Sequence, residues 1–78
     1  MTQKQRQEYQ KLQVYIWALQ QKNWPLEGIN RQQAYAEVIT IAQVLEITLD
    51  PTTDNQFFPT VSQKIFEVLS APNEVQAP

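Results

Sequence analysis

Seventy-eight residues make one small domain, and a chain this short buries only ~60% of its unfolded surface, so oligomerisation or docking on a larger partner is expected to matter. The sequence has no cysteine and no histidine, which excludes disulfides, thiolate metal sites, thiol nucleophiles, the commonest general base and the commonest metal ligand. Lys4, Arg6, Lys11, Lys22 and Arg31 against Glu8 and Glu27 give residues 1–31 a net +3, while Lys64 against six carboxylates gives residues 32–78 a net −5, for −2 in all.

Thr2 to Asn23 reads as a helix, because Tyr9, Leu12, Ile16 and Leu19 recur at spacings of three and four with Tyr15 bordering the same face. Nothing apolar follows Met1 within MTQKQRQ, so residues 1–6 are expected to fray. At ~100° per residue, Val14 and Trp17 fall outside the main stripe. Trp24-Pro25 stops the helix, since proline disfavours helical geometry in the residue before it. Gly28, the only glycine, is the natural place for a positive φ.

The second helix starts at Asn30, an N-cap with Gln33 in capping-box spacing and Ile29/Ala34 placed as a hydrophobic staple. Tyr35, Val38, Ile39, Ala42 and Leu45 line one face, widened by Ala34 and Ile41. One residue further, Glu46 would fall in the middle of that face, so the helix is expected to end near Leu45 or Glu46. Ile47-Thr48-Leu49 alternates in character and is read as extended. Asp50-Pro51 signals a turn or a short fourth helical turn near 51–56. Phe57 and Phe58 are expected to close one end of the core. Pro59-Thr60 is read as the start of the last helix, with Gln63 in capping-box spacing and a stripe of Val61, Ile65, Val68 and Leu69, Phe66 at its edge. The fold expected is all-α, a small three-helix bundle. The alternative is α+β with a hairpin at 44–61, which Pro59 opposes except on an edge strand. Residues 1–72 are read as a single helical domain and 73–78 as a disordered tail.

The alternating oxygens of Asp50, Thr52, Asp54 and Gln56 imitate a calcium loop. Asn55 stands where the pattern requires glycine and Val61 where it requires a bidentate Glu, so no metal is expected and these residues read as turn caps. Glu37 and Glu46 lie on different faces, the serines have no histidine, and one glycine cannot build a phosphate loop; no catalytic residue and no cofactor are expected. Ile41-Ala42-Gln43-Val44-Leu45 followed by Ile47-Thr48-Leu49-Asp50 resembles the closing helix and turn of repressor-type helix-turn-helix domains over about a fifth of the chain. The residues before Asn30 hold one helix and a turn where that family needs two helices, so the chain is not assigned to it.

What remains is surplus apolar surface. Val14, Trp17 and Trp24, with Gln10 and Gln21 at the rim, form the candidate protein interface, because exposed Trp among apolar neighbours is typical of binding hot spots. The expectation is a small cytoplasmic, non-enzymatic protein that binds another protein or itself, as an adaptor, accessory subunit or dimer. The alternative is a nucleic-acid-binding regulator using the basic first helix. A third possibility is a ligand pocket lined by Tyr15, Tyr35 and Phe66. No secretory signal and no membrane-spanning stretch is read in the sequence.

Overall fold

Three apolar stripes at helical spacing become three helices in the computed structural model, which describes residues 2–71: α1 (Gln3–Leu19), α2 (Arg31–Val44) and α3 (Phe57–Ser70). No strand occurs among the described residues, so the hairpin at 44–61 is overturned and the three-helix, all-α architecture stands. The tail expected over 73–78 lies outside the described residues.

α1 begins on a complete capping box. The Thr2 hydroxyl accepts from the Gln5 backbone N–H at 3.1 Å, and the Thr2 N–H donates to Gln5 Oε1 at 2.9 Å. This closes two of the helix's orphan donors. The helix ends at Leu19, four residues before Asn23. The amides of Gln20 and Gln21 turn inward onto the carbonyls of Trp17 and Ala18, tightening the last turn. The Arg31 guanidinium donates to the Leu19 carbonyl at 3.2 Å, so the terminus is covered from α2.

The link to α2 is pinned by Trp24, whose indole N–H donates to the Ile29 carbonyl at 2.8 Å. Gly28 takes φ 75°, as its position in the turn suggested. Asn30 caps α2 through its side-chain oxygen, which accepts from Gln32 N–H at 2.7 Å.

α2 stops for a backbone reason. Glu46 sits at φ 61°, its N–H donates to the Gln43 carbonyl, and the Ile47 N–H reaches the Ala42 carbonyl at 2.9 Å. This is a Schellman closure with glutamate in the left-handed position that favours glycine. Ile47 and Leu49 then pack against the core while Thr48 is exposed.

Asp50 organises the next turn by accepting from the Thr52 backbone N–H at 2.8 Å and hydroxyl at 2.7 Å. These bonds, the Thr52 hydroxyl foremost, hold its carboxyl below the ordinary range. Asp54 likewise accepts from the Gln56 N–H at 2.8 Å, and α3 starts directly after, at Phe57. The start expected at Pro59-Thr60 is therefore corrected by two residues, and the Thr60/Gln63 box does not form; Gln63 donates to Glu67 instead. Proline is tolerated at the third helical position because the first N–H groups of a helix have no internal acceptor.

The core is continuous. Leu12, Tyr15, Ile16 and Leu19 of α1 meet Ala34, Val38 and Ala42 of α2 and Phe57, Val61 and Ile65 of α3. Phe58 closes one end against Tyr35, ring centroids 6.2 Å apart, edge to face. α1 is the central helix, packed against both others. No buried side-chain polar atom among the described residues lacks a partner.

Candidate interaction face

α1 and α3 are joined by two polar contacts that set their direction. Arg6 Nη1 donates to the Leu69 carbonyl at 3.1 Å. Seven residues on, Gln13 Nε2 donates to the Ser62 carbonyl at 2.9 Å, and the Ser62 hydroxyl donates back to Gln13 Oε1 at 2.7 Å. Rising numbers on α1 meet falling numbers on α3, so the pair is antiparallel.

Helix geometry then places the exposed apolar residues. Trp17 lies one turn beyond Gln13 and about 40° around α1, on the side away from Ile16 and Leu12. Phe66 lies one turn beyond Ser62 and about 40° around α3, on the side away from Ile65 and Val61. Both therefore flank the solvent side of one seam, on either side of the Gln13–Ser62 pair, roughly 12 Å apart along its length. Val14 is 48%, Trp17 53% and Phe66 60% exposed, and Gln10 shares the α1 strip. Arg6, a charged side chain that bonds across the seam, is engaged with the Leu69 carbonyl.

The five expected interface residues do not all stay together in role. Val14, Trp17 and Gln10 stand open to solvent. Gln21, just past the end of α1, folds back onto it, donating from Nε2 to the Trp17 carbonyl at 3.1 Å. Trp24 is half-buried against the core and tied to Ile29, so its ring serves the loop. Phe66 was legible only as the edge of a stripe; its place beside the α1 strip needed the antiparallel pairing. Tyr15 is buried and Phe66 exposed, so a ligand pocket shared by Tyr15, Tyr35 and Phe66 does not exist.

The basic face of α1 is largely occupied. Lys11 Nζ lies 3.4 Å from Glu8 and 3.3 Å from Glu37, and 5.7 Å from the Tyr15 ring. The hydrogen bond to Glu37 is the main reason its ammonium is held above the ordinary range. Arg6 and Arg31 are spent on the carbonyls of Leu69 and Leu19. Lys4 and Lys22 make no ion pair among the described residues. No cluster of acidic side chains suited to a metal occurs among the described residues. No helix among them is long and apolar enough to cross a membrane. No family model matches the chain, and no curated protein or solved structure matches it either.

Proposed function

We propose that this is a non-enzymatic protein-interaction module, an adaptor, accessory subunit or self-associating protein, whose contact surface is the outer side of the α1/α3 seam. The observation that carries the reading is that Val14, Trp17 and Phe66, all about half exposed, lie on the outer side of the α1/α3 pair, where the one seam-crossing charged group, Arg6, is bonded to the Leu69 carbonyl. Aromatic side chains framed by neutral polar groups, with charge kept away, are the composition of an interface core. Glutamines such as Gln10 supply hydrogen bonds there without the desolvation cost of an ion. Compared with the sequence-level expectation, the surface loses Trp24 and gains Phe66. A cytoplasmic setting goes with this reading as part of the proposal. The nucleic-acid alternative loses support, because three of its five cations have partners within the chain.

The test is sedimentation of the purified protein together with affinity purification from its native cell. Both are repeated with Trp17→Gln/Phe66→Gln and with Val44→Gln as an exposed control outside the seam. The seam variant is expected to lose self-association or its captured partner by at least about 30-fold in affinity, as removal of a hot spot of ~2 kcal/mol implies. Unchanged mass and unchanged partners in a folded seam variant would refute the reading.

A further inference from the structure

The outermost strip of α1 is free of charge along the whole helix. Gln3, Gln7, Gln10, Val14 and Trp17 follow one another at alternating spacings of four and three, and all five are exposed. At ~100° per residue they share an arc of roughly 80°, about opposite the buried Leu12, Ile16 and Leu19. No other α1 residue falls on that arc, so Lys4, Arg6, Glu8 and Lys11 all lie off it. Resting on the interaction face proposed above, we propose that its occupant is a second copy of this chain. The two α1 helices lie antiparallel, related by a two-fold axis level with Leu12.

Three features select a second copy. The repeat of ~3.5 residues is the spacing with which one helix meets another along a seam. A two-fold contact sets a surface against itself, so any charge on it meets its own sign, and this strip has none. A primary amide both donates and accepts, so glutamine complements glutamine, as a carboxylate or an ammonium cannot complement itself.

The positive charge of this half of the chain decides the direction. A parallel pair sets Arg6 of each copy against Lys11 of the other. In the antiparallel pair Gln7 meets Trp17 and Gln10 meets Val14 of the other copy. Lys4 and Arg6 then come level with the other copy's Ala18 to Gln20, which carry no charge, and Lys22 stands outside α1. Lys11 alone comes level with itself, and its ammonium already lies 3.4 Å from Glu8 and 3.3 Å from Glu37. The same register accounts for two exposed aromatics set apart along one seam. The bonds of Arg6 to Leu69 and of Gln13 to Ser62 put Phe66 level with Tyr9 of its own chain. Trp17 of the other copy comes level with Gln7, ~3 Å further along the axis and on the α3 side of the strip. Each Trp17 therefore reaches the other copy's Phe66.

The test uses the full chain, in which an introduced cysteine is the only one to label. The protein is expected to sediment as a dimer with a dissociation constant of about 100 μM, the weak end that suits a contact one helix wide. Low micromolar solutions then hold mainly monomer. Spin labels on Gln3→Cys are expected to sit about 28 Å apart, because the antiparallel register separates the two sites by about 18 residues of helical rise. Gln10 and its copy stand about 10 Å apart across the axis. Gln10→Lys and Gln10→Glu are each expected to weaken the dimer about tenfold, and their equimolar mixture to restore it, which a general disturbance of the fold would not do. A protein that stays monomeric at millimolar concentration overturns the proposal. So do Gln3 labels within about 10 Å, the parallel distance, or a mixture no tighter than its separate components. A monomer that captures a different protein and loses it in Trp17→Gln/Phe66→Gln would overturn the second copy and leave the interaction face standing, so the two readings are judged separately.

Discussion

The two sides of α1 use the same kinds of residue for different ends. The inner side carries Leu12, Tyr15, Ile16 and Leu19, all buried between α2 and α3. The outer side carries Val14 and Trp17, about half exposed. Hydrophobicity alone does not separate them. The difference is angular: the inner residues share the arc that α2 and α3 both face, and the outer ones lie past the Gln13–Ser62 hydrogen bonds that close the α1/α3 seam. An apolar residue beyond a polar closure contributes little to the fold, which leaves it available for a partner.

The largest effect expected is on the inner side. Ile65→Ala, at a fully buried position facing α1, removes transfer free energy and leaves a cavity, costing about 2–5 kcal/mol. In a domain this small that is most or all of its stability, read as a collapsed urea midpoint or no folded signal. Next is the closure itself. Gln13→Ala removes the partner of the Ser62 hydroxyl and carbonyl and is expected to cost about 1 kcal/mol in urea unfolding. A cost near zero would show that the seam is held by packing alone. Of similar size and opposite sign, Glu46→Gly is expected to stabilise by about 1 kcal/mol by relieving a left-handed backbone at a non-glycine residue.

The smallest effect concerns the α1/α2 side. Lys11 is raised above its ordinary value of 10.5, so the stability it contributes is present below that pH and is lost as pH rises through its folded value. Urea midpoints are expected to fall slightly as pH rises past the ordinary lysine value of 10.5, and Lys11→Met to remove that part of the dependence. Because Lys11 and Glu8 are well exposed, added salt should weaken the same contribution at neutral pH.

The stripes were legible in the sequence because the helical period is a local property. Val38, Ala42, Val61 and Ile65 fall where their spacing places them. The helix ends were less legible. α2 ends close to the expected residue, yet the cause is the turn at Glu46, which no residue type announces when the left-handed position is not glycine. Pro59 drew the expected start of α3 too late, because Asp54 caps the turn just ahead of Phe57 and leaves proline in a harmless position. The candidate face was half legible. Val14 and Trp17 stood out against their own helix, but Phe66 joins them only through the pairing of α1 with α3. Trp24 stands half-buried with its indole bonded to the Ile29 carbonyl, an arrangement within a loop whose path has no periodicity to read.

The central claim, that the outer side of α1 is not needed by the fold, is tested most directly by the unfolding free energy of Trp17→Gln in urea. Glutamine keeps the helix propensity, so the account predicts a change within about 0.5 kcal/mol and an unaltered denaturant slope. A loss of about 2 kcal/mol or more would mean that Trp17 is part of the core, and would contradict the account.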